Sequence, residues 1–201
     1  MMNPTAFFDA LMLARYLTEL VQGFSRFEVH LLSYTACLLW LYDGHPYSEW
    51  EYDFISSSAG LPYAADIEAA LVEAEALGFI EQNGNLYTLS TPGQVELELL
   101  QSFQSNQLRQ RYVSGAADAL LVLTPGNIRE AIEYDPSLSY LKNRRQSEWL
   151  LRDPDRDRLY SNFRELRRLL TSDAADLLVP LITWLKYLLR IGRNDGVLTT
   201  N

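Results

Sequence analysis

A mainly α-helical chain with a single β-hairpin is what this sequence predicts, on three observations. Apolar residues recur at helical spacing through most of the 201 residues. Ser, Thr or Asn stands ahead of those runs and Gly or Asp-Pro behind them, as helix starts and stops require. One dipeptide, Asn83-Gly84, separates two short apolar segments in the manner of a tight hairpin. At 48% hydrophobic and 12% aromatic the chain has ample material for a core, and its length falls between one large domain and two small ones.

Asn3 ahead of Pro4 opens a first helix that ends at Gly23, with Phe8, Leu11, Met12 and Leu20 on an apolar side. Ser25 and Glu28 have capping-box spacing and open a second helix to about Tyr42; its apolar residues point in nearly every direction, so it should lie at the buried centre. Ser48 and Glu51 repeat that spacing and predict a third, shorter helix stopping by Gly60. A fourth runs from about Ala64 to Leu77 and is closed by Gly78. The hairpin follows, Phe79 to Gln82 and Asn85 to Leu89 about an Asn83-Gly84 turn. Thr91-Pro92-Gly93 then starts a long helix toward Tyr112. Beyond it the pattern predicts helices at Ser114 to Leu123, from Thr124-Pro125 to Asp135, at Ser137 to Leu151 and at Asp155 to Leu170. Ser172 or Asp173 can cap a last helix that Pro180 bends, and residues 193–201 read as a flexible polar tail.

Three helices, a hairpin and a following helix resemble a winged-helix domain over roughly residues 25–112. The wing-like part is Ala76-Leu77-Gly78-Phe79-Ile80, then Leu86-Tyr87-Thr88-Leu89 and Gly93. The implied organisation is an N-terminal helix at 1–24, the winged-helix domain at 25–112, a helical domain at 113–192 and the tail. In many winged-helix proteins the helix before the wing enters the major groove of DNA. By position, Asp66, Glu68, Glu73 and Glu75 would supply that face here, with Gln82, Asn83 and Asn85 at the wing tip.

The charge does not suit that use. Residues 27–108 hold 12 acidic side chains and no lysine or arginine, while the other 119 residues hold 17 basic and 14 acidic groups, for a net −9. Duplex DNA is gripped through cations that neutralise phosphate and release counterions. This stretch has none to offer. Asp66, Glu68, Glu73 and Glu75 are therefore read as partner-binding residues on a protein surface; the competing reading is a solvated acidic face with no partner.

The opposite charge gathers further on. Between Lys142 and Arg168 nine bases, eight of them arginine, face five acids. Arg144, Arg145, Arg152, Arg164, Arg167 and Arg168 are the candidates for an anionic surface, acidic protein or nucleic-acid backbone, because the planar guanidinium suits carboxylate and phosphate. Pairing with neighbouring acids on an exposed helix is the alternative.

Catalytic and metal chemistry find little support. His30 falls inside the central helix, His45 in a Gly-His-Pro loop, and with Cys37 as the one cysteine no zinc spacing exists. Asp153, Asp155 and Asp157 alternate like calcium ligands but lack the glycine and the distant glutamate. Phosphate-binding glycine loops, dinucleotide fingerprints and nucleophile elbows are absent from the sequence. The expectation is no enzymatic activity, no cofactor, no metal and no small-molecule substrate. A single cysteine, no signal peptide and no membrane-length apolar run point to the cytoplasm.

Two functions follow. The first is a non-catalytic interaction subunit of a larger assembly; the chain is similar in architecture to small winged-helix accessory subunits of SMC-type, ABC-ATPase chromosome-organising complexes and to middle components of three-component defence systems, which implies an ATPase partner. The second is a winged-helix transcriptional regulator that reaches DNA through the distal arginines.

Overall fold

The computed structural model describes residues 2–136, 138, 148–153, 155–170 and 176–198, with backbone alone for 194–198. It is mainly helical, with two small two-stranded sheets. Helix α1 spans Pro4–Val21, α2 Arg26–Tyr42, α3 Ala65–Ala76, α4 Thr91–Gln101, α5 Gln104–Asp118, α6 Pro125–Glu133, α7 Asp155–Leu169 and α8 Leu178–Leu198.

The start signals work largely as the sequence predicts. The Asn3 side chain accepts from the amides of Thr5 and Ala6, and Pro4 takes the first helical position, where a missing N–H costs nothing. The Ser25 amide donates to the Glu28 carboxylate at 2.7 Å, closing one half of the capping box. Helix α2 is buried from Val29 to Tyr42 and packs against α1, α3, α5, α6 and α7, so it is the centre of the core. Helix α1 departs from a one-sided pattern. Residues 6–14 are all buried, because α2, α3, α4, α5 and the hairpin enclose it, while Leu20 is left outside.

The third helix expected from Ser48 is not there. Residues Tyr47–Glu49 make one 3-10 turn, and the chain then extends into β1, Ile55–Ser56, which pairs antiparallel with β2, Pro62–Tyr63. The reason is legible in the side chains: Trp50, Tyr52 and Phe54 are buried while Glu51 and Asp53 are exposed, a period of two that overrides a capping-box spacing. Helix Ser137 to Leu151 also fails at its described end. Glu148 to Leu150 lies extended beside β1, with Ser56 N–H donating to Glu148 and Leu150 N–H to Phe54.

The hairpin joins β3, Ile80–Asn83, to β4, Leu86–Leu89. Asn83 pairs with Leu86, so the two-residue turn is Gly84-Asn85, one position later than Asn83-Gly84. Gly84 has φ 64°, the positive value that a tight hairpin turn takes at its first central residue. Phe24 adds a bridge to Tyr87 on the free side of β4, tying the hairpin to the α1–α2 junction. Gly93 lets α4 start hard against the hairpin: a Cβ there would lie 2.2 Å from the Phe79 carbonyl oxygen.

The long helix toward Tyr112 breaks at Ser102-Phe103. The Ser102 hydroxyl and the Asn106 amide donate to the carbonyls of Leu99 and Leu100, taking over acceptors a continuous helix would use. Helix α5 then runs straight through 112–114, so the boundary drawn at residue 112 falls inside it. In the last helix Pro180 is the third residue, within the first turn, where it needs no bend. Asp176 caps that turn, accepting from Leu178 N–H at 2.9 Å; Ser172 and Asp173 lie outside the described residues. The helix continues to Leu198, past the 193 at which a tail was expected.

Below this shell sits a buried ion pair. Asp9 on α1 is fully buried and accepts from Arg109 on α5 through Nε at 3.0 Å and Nη2 at 2.6 Å. Arg109 Nη1 donates to the Trp50 carbonyl, and its guanidinium lies 3.2 Å from the Trp50 ring centroid. Tyr52 donates to Asp9 and is placed to accept from Ser33, both at 2.6 Å. The network pins α1, α2, α5 and the 50–52 segment together. Burial pulls the Arg109 pKa down, but Asp9 more than reverses that and holds the guanidinium charged.

Candidate functional site

Two surfaces carry the residues singled out from the sequence. The first is α3 with the hairpin. Its solvent-facing line is Ala65, Ala69, Val72, Glu73 and Ala76, at the three- and four-residue spacing of one helix face, with Leu77 at its end. Val72 is 50% and Leu77 51% exposed.

Asp66, Glu68, Glu73 and Glu75 do not form one outward face. Glu73 is exposed and Asp66 half-buried, whereas Glu68 and Glu75 turn aside to share Arg26. Arg26 donates Nη1 to Glu68 and Nη2 to Glu75, with its guanidinium 5.2 Å from the Tyr87 ring centroid. Glu68 also meets His30 Nε2 at 3.1 Å, while the Ala64 amide donates to His30 Nδ1, so Nε2 holds the ring proton and donates. The His30 hydrogen bond, opposed by burial and helped by Arg26, holds the Glu68 carboxyl below its ordinary range. The signal that could have found this clamp is the spacing of Glu68 and Glu75, seven residues and two turns apart, together with Arg26 as the last base before the base-free stretch. Asp66 and Glu68 also occupy the first turn of α3, where carboxylates favour the helix dipole.

The second surface lies on α7. Arg164, Arg167 and Arg168 line one groove of about 680 Å³ with Asp157, Tyr160, Ser161 and Gly44 of the turn after α2. Arg168 pairs with Glu165 at 2.7 Å, and Arg167 lies 5.1 Å from the Tyr42 ring centroid. Arg164 meets no carboxylate among the described residues. Arg152 stands apart, over the Trp149 ring at 5.1 Å, and does not line the groove. Arg144 and Arg145 lie outside the described residues.

Beside the groove the 43–45 turn is clamped from within. Tyr112 donates to Asp43 at 2.9 Å and therefore accepts from His45 Nε2 at 2.8 Å, while Arg111 pairs with Asp43 and Tyr160 donates to the His45 carbonyl. The Gly-His-Pro loop that holds His45 gives no sign of these partners, which come from α5 and α7 and share no local pattern with it. His30, expected inside the central helix, lies there and is buried.

Cys37 is buried, and burial pushes its thiol pKa well up, so it is a poor nucleophile. Among the described residues no three His, Cys, Asp or Glu side chains are grouped to hold a metal ion, and no helix is long and apolar enough to cross a membrane. No family model matches the chain, and comparison with curated proteins and with solved structures gives no match.

Proposed function

We propose that this chain is a non-catalytic interaction subunit, an adaptor that enters a larger multiprotein assembly through a winged-helix unit at residues 25–112. The observation that carries the reading is the outward face of α3. Ala65, Ala69, Val72, Glu73, Ala76 and Leu77 present no cation and no side-chain hydrogen-bond donor. A helix that reads a duplex needs cations for phosphate and donors for base edges. An apolar helix face edged by a carboxylate instead gains by meeting polypeptide, where burial of alanine, valine and leucine is favourable. The proposed assembly is an SMC-type or ABC-ATPase complex of the DNA-processing or defence kind, on the likeness of architecture drawn from sequence. A cytoplasmic setting, in which the Cys37 thiol stays reduced, accords with it.

Affinity capture of the tagged chain from its own cells tests this. A large ATPase should be recovered with it, and Glu73→Lys should reduce that recovery roughly tenfold with unchanged thermal melting. Glu75 is unsuited to the test, because its reversal also strips Arg26 of a partner. Full recovery with Glu73→Lys would move the interface off α3.

One observation favours a second reading, a DNA-binding transcriptional regulator: Arg164, Arg167 and Arg168 converge on one groove. Titration of duplex binding against salt separates the two, since a steep slope that vanishes in an Arg164→Ala, Arg167→Ala double variant supports the regulator and a flat response removes it.

A further inference from the structure

A groove of about 490 Å³ opens where the corner between α4 and α5 meets the 49–51 turn and the start of α1. Leu100, Phe103 and Leu108, with Pro4 and Trp40, give its apolar lining, and Glu49 and Glu51 are its two carboxylates. Phe103 is 48% and Leu108 46% exposed. Val95 and Leu99, more than half exposed and four residues apart, carry the apolar surface back along α4.

Two residues lining this groove sit in arrangements that local physics disfavours. Phe103 is the N-cap of α5, a position where Ser, Thr, Asp or Asn would satisfy a free amide and a phenyl ring satisfies none. Glu51 has φ 74°, in the left-handed region that side chains other than glycine seldom enter. Asn3 donates to the Glu51 carbonyl at 2.9 Å and the Thr5 hydroxyl to its carboxylate, so the turn is fixed rather than loose. Two such choices meeting at one apolar groove are what a used surface shows.

Charge selects the occupant. The one base lining the groove is Arg109, and its guanidinium points inward to Asp9 and Trp50 with 6% of the residue exposed. No residue from 27 to 108 is lysine or arginine. A second copy docked face to face would set Glu49 and Glu51 against their own equivalents, and a polyanion would meet the same carboxylates. We infer that the groove docks a segment of a partner protein that places an aliphatic or aromatic side chain against Phe103 and Leu108 and Lys or Arg beside Glu49 and Glu51. The inference rests on the interaction-subunit reading but uses a face separate from that of α3, so the two fail separately.

The full chain is titrated by fluorescence anisotropy against three labelled amphipathic peptides of about 14 residues: one of Leu and Lys, one with Glu replacing Lys, and one with Ser replacing Leu. The Leu-Lys probe should bind at least about tenfold more tightly than either control. Phe103→Ser and Leu108→Ser should each weaken it about tenfold, Glu49→Lys about threefold, and Glu73→Lys on α3 less than about twofold. Amide shifts induced by the Leu-Lys probe should centre on residues 49–51 and 103–108. Phe103→Ser should also melt at or above the wild-type temperature, because serine supplies the missing cap; a fall in melting temperature would show that the ring serves packing and overturn the inference. So would equal binding by wild type and Phe103→Ser, equal binding of the Ser-substituted probe, shifts centred on α3, or a dimer that Phe103→Ser dissociates.

Discussion

Arg109 and Arg164 carry the same guanidinium into opposite surroundings. Arg109 is buried, paired with Asp9 and stacked on Trp50, and the other arginines before residue 112 are engaged too: Arg15 with Gln101, Arg26 with Glu68 and Glu75, Arg111 with Asp43. On α7, Arg158, Arg164 and Arg167 are exposed and meet no carboxylate among the described residues. Charge sorting along the sequence is thus sharpened in space. The arginines flanking the base-free stretch, Arg26 and Arg109, are both paired with acids of the chain itself, so among the described residues its exposed carboxylates meet no free cation, whereas α7 keeps cations available to an outside anion.

The two groups should differ most in stability. Asp9→Ala leaves the Arg109 charge buried without its counter-ion, and should destabilise the chain by about 3–5 kcal/mol in chemical denaturation. Replacing both partners, Asp9→Leu with Arg109→Met, should recover much of that loss, since the desolvation cost disappears with the charges. A loss under about 1 kcal/mol for Asp9→Ala would mean that water reaches the pair and that Arg109 resembles the α7 arginines after all.

The helices of this fold were legible where signal and period agree, as at Asn3-Pro4 and Ser25 to Glu28. They were misread where two signals competed. Ser48 and Glu51 have capping-box spacing, yet the alternation of Trp50, Tyr52 and Phe54 decides for an extended chain, because burying three aromatic rings outweighs one cap. The Asp9–Arg109 pair could not be read at all: one hundred residues separate its members, and only packing of α1 on α5 joins them. Of the site residues, Arg164, Arg167 and Arg168 came together because they share one helix. Asp66, Glu68, Glu73 and Glu75 also share one, but two of the four answer to Arg26 on α2, a partner that the seven-residue spacing of Glu68 and Glu75 can suggest and only the packing of α3 on α2 supplies.

The Arg26 clamp lies between the extremes. Its three side chains are all about a quarter to a third exposed, so Arg26→Met should cost only about 1 kcal/mol. Its pH signature is more specific. Glu68 is held below its ordinary value of 4.5 by His30, against burial, and by Arg26. A depressed carboxyl contributes stability that is present above the unfolded value and lost as pH falls through the folded one. The wild type should therefore lose stability below about pH 4.5, and Glu68→Gln should flatten that limb of the melting-temperature profile. An unchanged acid limb would show that the clamp is too solvated to matter.

The smallest effect on stability, and the sharpest on the comparison, belongs to α7. Arg164 and Arg167 hold no carboxylate among the described residues and are exposed, so replacing both with alanine should change folding free energy by less than about 0.5 kcal/mol. Binding of a labelled poly-glutamate or oligonucleotide probe should respond instead. If the groove beside Gly44 is where an anion sits, affinity for the probe should fall with the double variant and its salt dependence should flatten, since fewer counterions are then released per contact. Arg152→Ala, on a residue that does not line the groove, should leave both unchanged. Equal loss from Arg152→Ala would mean a diffuse positive field rather than a site. Destabilisation of the double variant by more than about 1 kcal/mol would place these arginines with Arg26 as internal fastenings and erase the contrast between the two halves.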